Sequence, residues 1–238
     1  MTEWLVRLKG HEFDLEELSD HFASAKCNVK KDDDDYYYLR SSDLDQMSDP
    51  DVVSERAQEL IAHMNGATKL LSGGSYRPVE FDAVTQVGDD GKRHHHITLS
   101  ATVEGRSRMT GKLTVGETDE TTDVLRPPSG AESLVHLANQ NEKVADALRF
   151  YERGDWVNLY KAWEVVCDAA GGLHQVVKNG WAAEPDRSRF TGTAQSREEL
   201  GDDARHASER YEPPANPMSL DEARSFVKSV IEAWISRL

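Results

Sequence analysis

The sequence predicts an α+β protein in which an antiparallel sheet precedes a helical bundle. Three observations carry this. Residues 79–103 alternate apolar and polar side chains on either side of Asp90-Gly91, a hairpin dipeptide that tolerates positive φ. From Glu132 onward the apolar residues recur at a spacing of three to four. Between these patterns lies ETDETTDVLRPPSGA, an acidic, proline-containing stretch with no periodicity. The expected organisation is an α+β domain over 1–116, a linker over 117–131 and a helical bundle over 132–238.

Within the first region, Glu3–Lys9 reads as a strand, and Asp14 reads as the cap of a short helix through Phe22. Asn28–Lys31 and Tyr36–Arg40 read as strands flanking Asp32–Asp35. Four like charges in a row place that segment in a solvated turn. Asp49-Pro50 opens a long helix carrying Val52, Val53, Ala57, Leu60, Ile61 and Met64, and Gly73-Gly74 closes it. In the hairpin, Val79, Phe81, Ala83, Thr85 and Val87 alternate. Ile97, Leu99, Ala101 and Val103 do the same on the return strand, and Met109, Leu113 and Val115 suggest a third strand. One face of such a sheet is expected to be wet.

In the second region, one helix is expected over Glu132–Arg153, ended by Gly154. Asp155 caps the next, with Trp156, Leu159, Tyr160, Trp163, Val166 and Cys167 as its stripe. Gly171-Gly172 stops it, and Leu173–Trp181 forms a shorter helix ended at Glu184-Pro185. Ser196-x-x-Glu199 is a capping box for a helix through about Arg210. Ser219-x-x-Glu222 caps the last and most strongly periodic helix, through Phe226, Val230 and Trp234.

Composition limits the function classes. The net charge is −15 over 238 residues, and each of the three regions is acidic on its own. Binding to duplex DNA draws its affinity from cationic side chains, so it is not expected. No apolar run approaches the roughly 20 residues that span a bilayer, and a cytoplasmic protein is expected. Cys27 and Cys167 are the only cysteines and fall in different regions, which argues against a disulfide or a cysteine metal site. Nucleotide-binding glycine loops, the hydrolase elbow and the zincin motif are absent from the sequence. No cofactor or metal is expected.

Five features carry possible chemistry. His94 and His96 share one strand face, which suits a transition metal only if a third ligand comes from a neighbouring strand. Asp32–Asp35 lacks the spacing of a calcium loop. Tyr36-Tyr37-Tyr38, with Arg40 near, could stack nucleobases, although alternation buries at least one of them. Arg93, Arg106, Arg108 and Lys112 lie near the ends of adjacent strands as a candidate RNA-contacting patch. The strongest feature is SREELGDDARHASER, residues 196–210. There Asp202 sits four residues before His206 and would orient its imidazole on one helical face, with Arg205 and Arg197 as cations. A histidine that moves protons and an arginine that stabilises an anionic phosphorane are what metal-independent RNA cleavage needs.

The helical region resembles a HEPN domain, a small bundle family. The resemblance rests on the helix before Gly154, on Asp155-Trp156…Leu159-Tyr160…Trp163-Glu164, on Ala204-Arg205-His206, and on the tail from Pro217-Met218-Ser219 to Trp234. It implies a dimer or a protein partner, with RNA as a possible ligand, and a role in bacterial defence or toxin–antitoxin systems. The family's active members carry an arginine followed after four to six residues by a histidine. Here Arg197 and His206 are separated by eight residues, and Arg205 abuts His206. The spacing occurs only at Arg56-x6-His63, outside the resemblance. The expected function is therefore a non-enzymatic HEPN-like interaction protein, with a HEPN-type RNase using His206 and Arg205 or Arg197 as the alternative.

Overall fold

A computed structural model describes residues 3–73, 75–88, 93–96, 129–205 and 212–238. The expected return strand beyond His96, the third strand, the linker through residue 128, and His206 lie outside the described residues.

The N-terminal region is built on a five-stranded sheet, β1 (Glu3–Lys9), β2 (Cys27–Lys31), β3 (Tyr37–Ser41), β4 (Glu80–Val87) and β5 (Arg93–His96). The order is β2-β3-β1-β4-β5 and every neighbouring pair is antiparallel, as the α+β reading expects. Alternation sends Trp4, Val6 and Leu8 of the central strand to one face, where Val29, Leu39 and Val84 join them. Two helices cover that face, α1 (Glu12–His21) and α2 (Pro50–Ser72).

The opposite face is not wet at its centre. Leu5, Tyr38, Ala83 and Thr85 are buried there too. The register places Arg93 beside Val87, at the far corner of the sheet from the β2–β3 turn. Yet Arg93 pairs with Asp32 and lies 3.5 Å from Asp34 in that turn. Sheet twist brings such diagonal corners together, so the sheet curls over its second face.

Asp14 does not cap α1. The helix starts one turn's width earlier at Glu12, and the buried Asp14 carboxylate instead accepts the Arg77 backbone N–H at 3.0 Å. The α2 helix follows the expected layout. The Asp49 side chain accepts from Asp51 N, Pro50 occupies the first turn, and Gly73 ends the helix at φ +88°.

The expected single helix before Gly154 is two, α3 (Gly130–Gln140) and α4 (Glu142–Arg153). Asn141 sits between them at φ −139°, ψ 104°, and its side chain caps α4 by accepting from Lys143 N and Val144 N. A residue that bonds its neighbours' backbone this way competes with helix continuation. Next come α5 (Trp156–Ala170) and α6 (Leu173–Lys178). Before the short α8 (Arg197–Leu200) comes α7 (Glu184–Gln195), a helix the local sequence pattern does not mark. Pro185 does not break this segment. It stands in the first turn, where its missing N–H costs nothing. Phe190 of α7 is fully buried and packs against Trp156, Tyr160, Trp163 and Phe226, at ring separations of 5.0–6.2 Å.

The last helix, α9 (Leu220–Ile235), carries the reciprocal Ser219–Glu222 capping box and buries Val227, Val230, Ile231 and Trp234. Arg189 of α7 pins the proline-rich lead into it, donating to Asn216 O and Pro217 O and pairing with Glu222 at 2.8 Å. The two cores share elements. Val53, Ala57, Leu60, Ile61, Met64 and Ala67 of α2 join the sheet core and Leu70 joins the bundle core, while α3 gives Val135 to the first and Ala138 to the second. Among the described residues no helix is long and apolar enough to cross a membrane.

Candidate functional site

The segment expected to carry chemistry is only briefly helical. Ser196 caps α8 (Arg197–Leu200), its Oγ accepting from Glu199 N at 3.4 Å. Gly201, at φ +58°, ends the helix, a conformation glycine adopts without a Cβ penalty. A 3-10 turn spans Gly201–Asp203, and Ala204 is extended at φ −67°, ψ 143°. The expected continuous helix from Ser196 is therefore interrupted at Gly201, and its remainder from His206 to Arg210 lies outside the described residues. Asp202 is fully exposed and lies 3.6 Å from Arg197.

Arg205 folds back onto the bundle. Its N–H donates to Ala194 O at 2.9 Å. Its guanidinium lies 4.3 Å over the Tyr160 ring and donates to Glu164 Oε1 at 2.6 Å. The Tyr160 hydroxyl accepts in turn from Gln195 Nε2 at 3.1 Å. A stacked, carboxylate-paired arginine ties the segment to α5.

The basic patch is represented by Arg93 alone among the described residues; Arg106, Arg108 and Lys112 lie outside them. Arg93 faces two carboxylates and the Tyr38 ring, 5.7 Å away. The Asp32–Asp35 run is a turn whose charges serve the fold. Asp34 accepts from the Tyr38 hydroxyl at 2.7 Å, and Asp35, at φ +69°, pairs with Lys31 at 3.1 Å. Tyr37 and Tyr38 are buried and Tyr36 is half exposed, with Arg7 stacked at 4.9 Å. His94 and His96 stand opposite Gln86 and Val84 in the ladder, neither a third metal ligand of the histidine or carboxylate kind. Among the described residues no three His, Cys, Asp or Glu side chains are grouped to hold a metal ion.

Among the described residues, Arg56 and His63 are brought together. Seven residues apart on α2, they share a helical face. Both meet Asn139 of α3: Arg56 Nη2 donates to Asn139 Oδ1 at 3.1 Å, and His63 Nδ1 stands 3.1 Å from the same oxygen. An oxygen can only accept, so the contact calls for the Nδ1–H tautomer and leaves Nε2 as the basic nitrogen. Burial, before any charge effect, pushes the His63 pKa below its usual value, while the Asn139 bond opposes this. Arg56 also pairs with Glu59 at 3.0 Å. Beside this trio opens a pocket of about 280 Å³ lined by Leu60, Asn139, His136, Glu132 and Cys27 among others. Glu132 is committed to structure, accepting from Ala23 N and Ser24 N. The 56–63 spacing is visible in sequence; Asn139, 76 residues from His63, carries no local signal.

Comparison of the chain with protein-family models, with curated proteins and with solved structures found no match.

Proposed function

We propose that the chain is a non-enzymatic interaction or accessory protein whose helical region is HEPN-like, acting with a second copy or a protein partner in a bacterial defence or toxin–antitoxin setting. One observation supports this over catalysis near position 206. Arg205, the nearest described cation, has its charge paired with Glu164 and one face covered by Tyr160. A phosphate would have to displace both. The acidic composition is a further argument against general nucleic-acid affinity.

The test is a cleavage assay on labelled single-stranded RNA, run beside light scattering over a hundredfold range of protein concentration. The expected result is intact RNA and a concentration-dependent mass. RNA cleavage that disappears in Arg205→Gln while the fold persists overturns the proposal, as does a strict monomer with no binding partner.

A second reading has its own observation, the convergence of Arg56 and His63 on Asn139. A neutral imidazole fixed by Nδ1, beside a guanidinium, has the parts for metal-independent attack on a phosphodiester. Nε2 would accept the 2′-hydroxyl proton as the 2′-oxygen bonds phosphorus and the P–O5′ bond breaks, the imidazolium would return that proton to the leaving 5′-oxygen, and Arg56 would offset the charge gained at phosphorus. This reading requires chelator-resistant cleavage that His63→Ala abolishes and Arg205→Gln leaves intact.

A further inference from the structure

In a chain of net charge −15, three cations converge where α2, α4 and α9 meet. Lys69 comes from the last turn of α2, and Arg224 and Lys228 come one turn apart on α9. They line a cleft of about 540 Å³ together with Tyr151 and Ser225, and Asp221 is the one carboxylate among the described lining residues.

The reason for the convergence is local. α2 and α4 both end here, at Gly73 and Gly154, and helix ends expose carbonyls that cations satisfy. Arg224 Nε donates to Gly154 O at 3.0 Å, Lys228 Nζ to Leu71 O at 3.5 Å, and Lys69 Nζ to Tyr76 O at 2.5 Å. Capping of the two helix ends accounts for Arg224 and Lys228, and Lys69 holds the Tyr76 carbonyl in the loop after α2. Capping does not use all that Arg224 offers, since a guanidinium has five N–H donors and the Gly154 carbonyl and Asp221 engage only Nε and Nη1. Nor does it explain a cleft wide enough for a ligand between them.

We infer that this cleft binds the phosphate group of a small phosphorylated molecule of about nucleoside-monophosphate size. Three cations and the Tyr151 hydroxyl match the charge and the several acceptor oxygens of a phosphate monoester better than they match a carboxylate, while the Ser225 hydroxyl donates to Asp221 O. The volume lies in the range of small-molecule sites. A polyanion such as RNA would also have to approach the acidic remainder of the surface.

The carboxylates nearby do not close the site. Asp221 pairs with Arg224 at 2.9 Å but is 90% exposed, and Glu232 lies 3.7 Å from Lys228 at the rim. Exposed pairs of this kind are weak and exchange readily for a better anion. Glu152 stands near Lys69, its own pKa raised by burial. Lys69 is pushed below the usual ammonium range, by burial first and by Arg224 second. A bound anion would relieve that repulsion. The inference is independent of the function proposed above, because it concerns neither Arg205 nor Arg56.

The experiment is calorimetric titration of the full chain at low ionic strength with AMP, inorganic phosphate and adenosine as separate probes. The expected result is saturable binding of AMP, none of adenosine, and a loss of AMP affinity on the order of tenfold in Lys228→Gln. Lys228 is partly exposed, and circular dichroism checks that both variants keep the fold; Arg224→Gln should weaken AMP further. Binding of inorganic phosphate as tightly as AMP upholds the site and assigns the anion to free phosphate. Absence of binding by both phosphate-bearing probes overturns the inference. So does equal binding of AMP and adenosine, or unchanged AMP affinity in both variants.

Discussion

Gly66 of α2 lies directly against Leu148 of α4. A Cβ at position 66 would stand 2.8 Å from Leu148 Cβ and 2.9 Å from its carbonyl carbon and oxygen. This contact joins the helix that covers the sheet to the bundle. Gly66→Ala gains roughly 1 kcal/mol of helix propensity. It also forces two helix backbones apart, which costs about 1–3 kcal/mol and more where the neighbour is main chain. The expected outcome is net destabilisation, seen as a lower urea midpoint. Gly192→Ala is the contrast, since the nearest atom to its Cβ would be Pro214 Cδ at 3.4 Å, and it should be neutral or mildly stabilising.

Asn65 holds the connection between α2 and β4. Its Nδ2 donates to Val79 O at 2.8 Å, and its Oδ1 accepts from the Tyr76 hydroxyl at 2.7 Å and from Val79 N at 3.0 Å. Tyr76 is fully buried. Asn65→Ala strands three buried polar groups and should cost about 3 kcal/mol, whereas Tyr76→Phe removes one bond and should cost about 1 kcal/mol. Chemical denaturation of the two variants distinguishes them. Similar small losses would show that the network is not closed to water.

His63 gives a pH signature. Its folded pKa lies below the unfolded value because burial disfavours the imidazolium. The unfolded chain therefore binds the proton more readily, and stability falls as pH drops through the unfolded pKa of about 6.5, levelling below the folded one. Above that window the contribution is fully present. Urea midpoints at several pH values should show a steeper acid loss for the native chain than for His63→Gln. Parallel curves would place the imidazole in solvent.

Both thiols should be unreactive. Burial pushes Cys27 up to about 12, with Glu132 and Asp43 adding to it, and Cys167 likewise to about 12, with Glu164 adding. At pH 8 neither supplies thiolate, the reactive form. A colorimetric disulfide reagent should label neither in the native chain and both in urea. Rapid native labelling of one would identify a local opening.

What can be read without the structure is what is encoded by near neighbours. The strand at Glu3–Lys9, the helix opened by Asp49-Pro50 and the box at Ser219-x-x-Glu222 are legible because period and cap lie within a few residues. The segment Glu184–Gln195 is not, since Phe190 is its one large apolar side chain and makes no stripe. Asn141 is missed because apolar residues keep helical spacing on both sides of it.

The α+β class, the acidity and most element boundaries follow from local backbone preferences and side-chain type. Which polar groups meet is set by packing. Packing pairs Arg205 with Glu164, joins Arg56 and His63 through Asn139, and gathers Lys69, Arg224 and Lys228 near two helix ends. Such meetings depend on how whole helices pack, and packing is set by buried shape summed over many residues rather than by the spacing of the few that touch.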